Sequence, residues 1–182
     1  MGVEIEKKFL VSRIPDNLSV YDFHMIEQAY LNVHPAIRVR REDDIYYMTY
    51  KGAHSQNEGE IGQVEYNMPL DKESYERLLV KAEGNVIKKK RYLIPLNEDA
   101  YSLDYLNDHD ILKQKIKDEE VKIELDVFED MFEGRVIAEV EFPDEESAKM
   151  YRPASWFERE VTGEQKYSNA SMSMEEGNEH SI

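Results

Sequence analysis

Charged side chains occupy every second position in several short segments that otherwise have the composition of β-strands. The first segment contains Glu4, Glu6 and Lys8, which alternate with apolar residues. Because successive side chains of an extended chain point to opposite faces, this segment combines a charged face with an apolar one. A half-solvated edge strand has the same appearance, so the segment alone indicates no particular chemistry.

The same alternation recurs along the whole chain. Each further segment has the short, alternating pattern of a strand. The charge-bearing residues that follow are Arg38, Arg40, Lys51, Glu65, Lys89, Arg91, Glu124, Asp126, Glu139 and Glu141, and the polar Thr49 shares the face of Lys51. Cations of this kind match phosphate oxygens, and clustered carboxylates match the hard cations Mg2+ and Mn2+. Mutual ion pairs among these side chains are the simpler alternative and would neutralise much of the set.

Composition limits the classes of protein to consider. The chain has 182 residues, which fits one domain, and it has no cysteine, which excludes disulfides and thiolate metal sites. The net charge of −16 opposes binding to DNA, RNA or an anionic membrane. The chain starts directly with a strand pattern, and no apolar run approaches the ~18 residues that span a bilayer. We therefore expect a soluble cytoplasmic protein without a nucleic-acid or membrane partner.

Short strands dominate the predicted elements. Proline, glycine and acidic turn residues separate them. Strands are expected to about residue 11 and at about 27–31, 36–41, 45–51, 63–68, 86–93, 121–129 and 135–142. Asp71 is the predicted N-cap of a helix that stops at Gly84. The polar passage 95–120 contains one predicted helix at 103–117 and is interpreted as a helical insertion or a lid.

These elements predict a mainly β protein of the α+β class. An open sheet would need a second layer over its apolar face, and the sequence offers only a few short helices. Closing the sheet removes its edges and creates an interior. We therefore expect a closed eight-stranded antiparallel β-barrel tunnel with a few peripheral helices, in which the charged residues line the interior.

The order of the charged motifs resembles the CYTH, or triphosphate tunnel metalloenzyme, superfamily, and most closely its small bacterial members. The motifs are E-x-E-x-K at 4–8, R-x-R at 38–40, T-x-K at 49–51, K-x-R-Y at 89–92, E-x-D-V-F at 124–128 and A-E-V-E-F at 138–142, followed by Trp156-Phe157, Glu160-Val161-Thr162 and Tyr167-x-Asn169. The resemblance covers 4–169. It implies a tunnel domain at 1–170, with an insertion at about 95–120, and the composition of 171–182 predicts a disordered acidic tail.

The chain departs from the family pattern in three places. Asn67 stands where the middle strand often has a second glutamate, and Lys166 stands where many relatives have arginine. The third departure is the insertion, which could reshape the tunnel mouth. None of them touches the four glutamates at 4, 6, 139 and 141.

The resemblance implies divalent-metal-dependent hydrolysis of a triphosphate, with inorganic tripolyphosphate as the favoured substrate. Metal ligands would be Glu4, Glu6, Glu139 and Glu141; phosphate ligands would be Lys8, Arg38, Arg40, Lys51, Lys89 and Arg91; catalytic residues would be Glu4, Glu6, Lys8 and Glu141; and further tunnel acids would be Glu65, Glu124 and Asp126. The alternatives are a class IV adenylate cyclase, a thiamine triphosphatase and a non-catalytic polyphosphate-binding module. The motifs leave open whether the protein forms a homodimer.

Overall fold

Nine β-strands, five α-helices and three short 3-10 helices form the regular structure in the part of the chain that the structure describes. The computed structural model covers residues 2–53 and 63–176, with side chains described for 5–52 and 65–176. The strands are β1 (Gly2–Val11), β2 (Phe23–Val33), β3 (Ala36–Glu42), β4 (Ile45–Ala53), β5 (Gln63–Leu70), β6 (Glu83–Ile94), β7 (Ile123–Phe128), β8 (Val136–Phe142) and β9 (Phe157–Glu160). The helices are α1 (Lys72–Leu79), α2 (Leu103–Asp108), α3 (Asp110–Lys117), α4 (Glu145–Met150) and α5 (Asn169–Ser173). None of these helices is long and apolar enough to cross a lipid bilayer.

All strands belong to one antiparallel sheet in the order β5-β4-β3-β2-β6-β7-β8-β1-β9. The prediction of a mainly β fold with a few helices is confirmed. Strand β1 divides its length among three neighbours: residues 2–4 pair with β5, 5–10 with β8 and 9–11 with β9. The strand that the sequence patterns do not predict is β9, whose four residues lie beside the end of β1. Strand β4 extends to Ala53, beyond its predicted end at 51, and 54–62 lies outside the described residues.

One face of β1, β7 and β8 carries the larger hydrophobic core. Phe9, Leu125 and Val140 are at most 1% exposed and belong to one cluster. Side chains alternate along each strand, so the residues between them lie on the other face. Those neighbours are Lys8, Glu124 and Glu139, which places the charged motifs together on the face opposite the core.

The insertion at 95–120 covers this core. The sequence predicts a single helix at 103–117, but the chain breaks at His109, whose φ of −131° and ψ of 64° are not helical. Leu112 of α3 and Tyr101 are about 4% exposed within the same cluster as Phe9. No residue of the insertion lines the cavity described below. The insertion therefore packs on the back of the sheet instead of over the cavity.

Helix α1 begins at its predicted cap, where Asp71 accepts a hydrogen bond from the Ser74 backbone N–H at 2.7 Å. The helix ends before Gly84, which lies in β6 with a φ of 71°. A Cβ at Gly84 would lie 2.2 Å from the carbonyl oxygen of Ser173. Glycine is needed there because of this close approach of α5 and because of the positive φ.

The C-terminal segment is ordered further than its composition predicts. Disorder is expected over 171–182, yet α5 extends to Ser173. Met172 is 1% exposed and packs in a second hydrophobic cluster with Tyr30, Ile87 and Phe128. Residues 171–173, which belong to the segment expected to be disordered, are helical in this structure, and the buried Met172 packs them against the core. Residues 177–182 lie outside the described residues.

Candidate active site

The charged faces of the strands line a cavity of about 790 Å³. It brings together ten of the residues that the sequence patterns predict as a site, contributed by seven strands. These are Glu6, Lys8, Arg38, Arg40, Lys51, Glu65, Arg91, Glu124, Glu139 and Glu141. Lys89 and Asp126 do not line it, and the side chain of Glu4 lies outside the described residues.

A group of carboxylates surrounds Glu141. The β1–β8 register places Glu6 directly opposite Glu141, and side chains opposite one another on antiparallel strands are neighbours. Desolvation, and then repulsion by Glu124 and Glu6, raises the pKa of Glu141 above its ordinary value. Among the side chains that the structure describes, no three histidine or acidic groups form a ready-made metal centre. Glu4, which the motif adds to this group, is not among those side chains.

Glu139 differs from Glu141 although it lies only two residues away on the same strand. Its carboxylate accepts from Arg91 Nη2 at 2.6 Å and lies 2.8 Å from Lys8 Nζ. Burial favours the neutral carboxyl, but the two cations outweigh it and hold the pKa of Glu139 well below its ordinary range. Glu139 therefore acts in this structure as the counter-ion of Lys8 and Arg91. Among the predicted metal ligands whose side chains the structure describes, Glu139 has the shortest contacts with cations.

A buried ion-pair network lies directly beneath the cavity. Asp126, which is 1% exposed, accepts from Arg91 Nε at 2.7 Å and from Arg91 Nη2 at 2.8 Å. Asp126 also pairs with Lys89, and Arg91 Nη1 donates to Glu124. Lys89 is fully buried, and burial together with the neighbouring Arg91 lowers its pKa to about 8. Asp126 is therefore paired with cations. It does not line the cavity, although the sequence patterns predict that it does.

A cationic group lies along β3. Arg40, which is 7% exposed, donates from Nε to Gln28 Oε1 at 2.9 Å and from Nη1 to the Tyr47 hydroxyl at 3.3 Å. Burial and the like charge of Arg38 lower the pKa of Arg40. Arginine remains charged in proteins despite such a shift, so Arg38 and Arg40 both carry positive charge here, with Glu65 at 3.9 Å from Arg38 Nη2.

Neutral residues connect the charged ones, and the motifs do not single out all of them. Gln28 and Tyr47 are such residues. Both pair with Arg40 across the ladder and therefore face the same side of the sheet, but no motif in the sequence marks them. Asn67, the departure from the family pattern, donates to Glu65 Oε1 at 2.8 Å and accepts from the Thr49 hydroxyl at 2.6 Å. The amide therefore links a threonine to a glutamate, which a second glutamate could not do without protonation.

The segment that follows β9 lines one part of the cavity. Thr162, Gln165, Ser168 and Asn169 line it. Thr162 Oγ1 accepts from the backbone N–H of Lys8 at 3.1 Å, which fixes this segment to β1. Thr162 and Asn169 belong to the quoted motifs, whereas Gln165 and Ser168 carry no pattern that would indicate a site.

One face of the antiparallel sheet carries a group of carboxylates and a group of cations that line the same cavity. This arrangement indicates the class of the protein. A model of the CYTH domain matches residues 2–169. The chain belongs to the CYTH domain family, which confirms the resemblance of its motifs.

Proteins of known activity resemble the chain over nearly its whole length. An inorganic triphosphatase of Nitrosomonas europaea is 30% identical over 176 residues, which are 94% of this chain and 97% of that protein. An inorganic triphosphatase of Acetivibrio thermocellus is 31% identical over 177 residues, 94% of each chain. The crystal structure of the inorganic triphosphatase NE1496 has a TM-score of 0.63 with 28% identity and covers 97% of both chains.

Proposed function

We propose that this protein is an inorganic triphosphatase, which hydrolyses tripolyphosphate with the aid of a divalent cation, Mg2+ or Mn2+. The observation that carries the proposal is the grouping of like charges inside one cavity. Glu141 is crowded by Glu124 and Glu6, and Arg40 is crowded by Arg38. Such crowding is unfavourable until a ligand of opposite charge arrives, and a metal-bound polyphosphate supplies both charges at once.

The proposed substrate-binding architecture is a closed eight-stranded tunnel formed by β1–β8 within a single domain of about 1–170. The pairing of residues 2–4 of β1 with β5 supports it, because these strands stand at opposite ends of the order of those eight. An eight-stranded barrel has room inside for side chains or for one small ligand. A linear triphosphate is such a ligand.

The carboxylates around Glu141 fit a hard divalent cation. They provide only oxygen donors, and the raised pKa of Glu141 reflects a local excess of negative charge. We assign the cation to Glu6 and Glu141, with Glu4 added by the motif. Glu124 is held by Arg91, as Glu139 is. A bound cation would polarise phosphate oxygens and water. Glu139 takes the different role of holding Lys8 and Arg91.

The remaining residues bind and orient the substrate. Arg38, Arg40 and Lys51 donate to phosphate oxygens and neutralise the chain, and Lys8 lies between Glu6 and Glu139 at the border of the acidic group. Phosphoryl transfer depends mostly on positioning and charge stabilisation, so a cavity that fixes donors on one side and carboxylates on the other suits it. The terminal phosphate would lie nearest the carboxylates, with the rest of the chain along β3.

Phosphate release from tripolyphosphate, ATP and thiamine triphosphate, with Mg2+ or Mn2+ and with a chelator, tests the proposal. Metal-dependent release that is fastest from tripolyphosphate is expected. Absence of metal-dependent release from all three would overturn it. Faster release from thiamine triphosphate would indicate a thiamine triphosphatase. Conversion of ATP to cyclic AMP and pyrophosphate would indicate an adenylate cyclase.

A further inference from the structure

Asp126 is a buried acid that the cavity does not reach. It pairs with Arg91 across the β6–β7 ladder, and both side chains point to the charged face of the sheet. A carboxylate that is 1% exposed is stable only if cations and hydrogen bonds compensate for its desolvation. Lys89 and Arg91 provide that compensation. Asp126 therefore cannot approach a ligand in the cavity, and any effect it has on the reaction must pass through one of these cations.

Arg91 is the cation that reaches the cavity. Its Nε and Nη2 donate to the two oxygens of Asp126, which grip one edge of the guanidinium. The other contacts go toward the cavity, with Nη2 donating to Glu139 and Nη1 to Glu124. Bidentate pairing fixes the plane of a guanidinium, which a single contact would not do.

Lys89 completes the support from below. It is fully buried, pairs with Asp126 and lies 5.4 Å from the centre of the Phe128 ring. Along β6 the side chains thus change from cavity lining at Arg91, through a buried ion pair at Lys89, to the hydrophobic cluster at Ile87. Lys89 neutralises the carboxylate that orients Arg91 and does not itself reach a phosphate in the cavity.

We propose that Asp126 is a positioning residue, which fixes Arg91 so that the guanidinium edge toward the cavity, Nη1 and Nη2, aligns Glu124 and Glu139 and meets the phosphoryl group being transferred. This inference rests on the proposed triphosphatase function. Groups that orient the ligands of a charged site usually matter nearly as much as the ligands themselves. Loss of Asp126 leaves Arg91 in the cavity but lets its guanidinium rotate.

A double-mutant cycle tests this role. Asp126→Asn offers one acceptor oxygen in place of two, and it is expected to lower kcat about ten- to a hundredfold with little change in KM. If Asp126 acts through Arg91, the variant Asp126→Asn with Arg91→Lys loses no more activity than the worse single variant. Losses that multiply would overturn the proposal. Glu175→Gln is the matched control, because Glu175 also binds an arginine through both carboxylate oxygens, here Nη1 and Nη2 of Arg135, away from the cavity. The kcat of this variant should equal that of the wild type.

A second measurement separates positioning from stability and from the proposed function. The variant Asp126→Leu with Lys89→Met replaces the buried pair by apolar side chains of similar volume, a change that proteins often tolerate. The Nε–H signal of Arg91, identified by its loss in Arg91→Lys, should exchange with water much faster in this variant than in the wild type. Equal exchange rates would overturn the positioning role. This exchange rate does not depend on turnover. If the wild-type protein failed to hydrolyse tripolyphosphate, the proposed function would be refuted and the positioning role would still be tested by the exchange rate.

Discussion

Glu6 and Glu141 face each other across the β1–β8 ladder, whereas Lys8, two residues further along β1, faces Glu139. The same two strands therefore pair like charges at one step and opposite charges at the next. The first pair includes Glu6, which lies 3.9 Å from Lys8 Nζ, so it keeps more of its negative charge and is suited to a metal ion. The second pair compensates itself and is suited to holding cations in place.

This difference predicts how the carboxylates contribute to catalysis. Glu6→Gln and Glu141→Gln are each expected to lower kcat on the order of a hundredfold or more, because each removes charge stabilisation from the transferring phosphoryl group. Phosphate release from tripolyphosphate under saturating Mg2+ measures it. Glu76→Gln, on the exposed side of α1, is the control. Normal turnover in both cavity variants would show that the metal lies elsewhere.

Arg38 and Arg41 lie on the same strand and face opposite sides of the sheet. Arg38 lines the cavity, and Arg41 is exposed and donates from Nε to the Asp43 carbonyl oxygen at 2.8 Å. Arg38→Ala should raise KM for tripolyphosphate roughly tenfold or more, since a hydrogen bond to a charged group contributes about 1.5–3 kcal/mol. Arg41→Ala should leave KM unchanged. A similar KM in the two variants would contradict the assignment of Arg38 to phosphate.

Alternation of charge and hydrocarbon was sufficient to predict most of the cavity lining. The side-chain period of a strand is a local property, so Arg38, Lys51 and Glu124 could be assigned to one face without knowledge of the sheet. The period does not indicate how far along a strand the cavity extends. Lys89 has the parity of Arg91, yet it lies beneath the cavity because Ile87 and Phe128 fill that end of the interior.

Non-local packing explains the other differences from the sequence predictions. Helix α5 has few apolar residues, and it is ordered because Met172 finds a pocket formed by residues from β2, β6 and β7. The break at His109 divides the predicted long helix into two pieces that both pack on the sheet. Neither contact involves sequence neighbours, so neither leaves a signature in composition or spacing.

Removal of the metal should be visible in stability as well as in activity. A cation that binds only the folded protein stabilises it by about 2.7 kcal/mol at a hundred times its Kd. We therefore expect Mg2+ to raise the Tm of the wild type and to raise it much less in Glu141→Gln. Thermal unfolding with and without a chelator measures the difference. An equal rise in both proteins would exclude Glu141 as a ligand.

The lowered pKa of Glu139 predicts a contribution to acid stability. Because the pKa is lower in the folded than in the unfolded chain, the contribution is complete above the ordinary value of about 4.5 and is lost as the pH falls toward the folded value. The free energy of unfolding of the wild type should thus fall more steeply below pH 4.5 than that of Glu139→Gln. Urea unfolding in chelator between neutral pH and about pH 3 measures both slopes. Parallel curves would show that Lys8 and Arg91 do not stabilise the ionised form.

The last prediction concerns the insertion at 95–120. Two neighbouring residues of α3 show whether the insertion covers the hydrophobic core or acts as a lid over the cavity. Leu112 is 4% exposed in the larger core, and Ile111 beside it is 76% exposed. Leu112→Ala is expected to lower the free energy of unfolding by about 2–5 kcal/mol, while Ile111→Ala should change it by less than about 0.5 kcal/mol. Neither variant should alter KM or kcat below its unfolding temperature, since no residue of the insertion lines the described cavity. A change of KM in Ile111→Ala at unchanged stability would mean that α3 contacts the substrate and that the insertion is a lid.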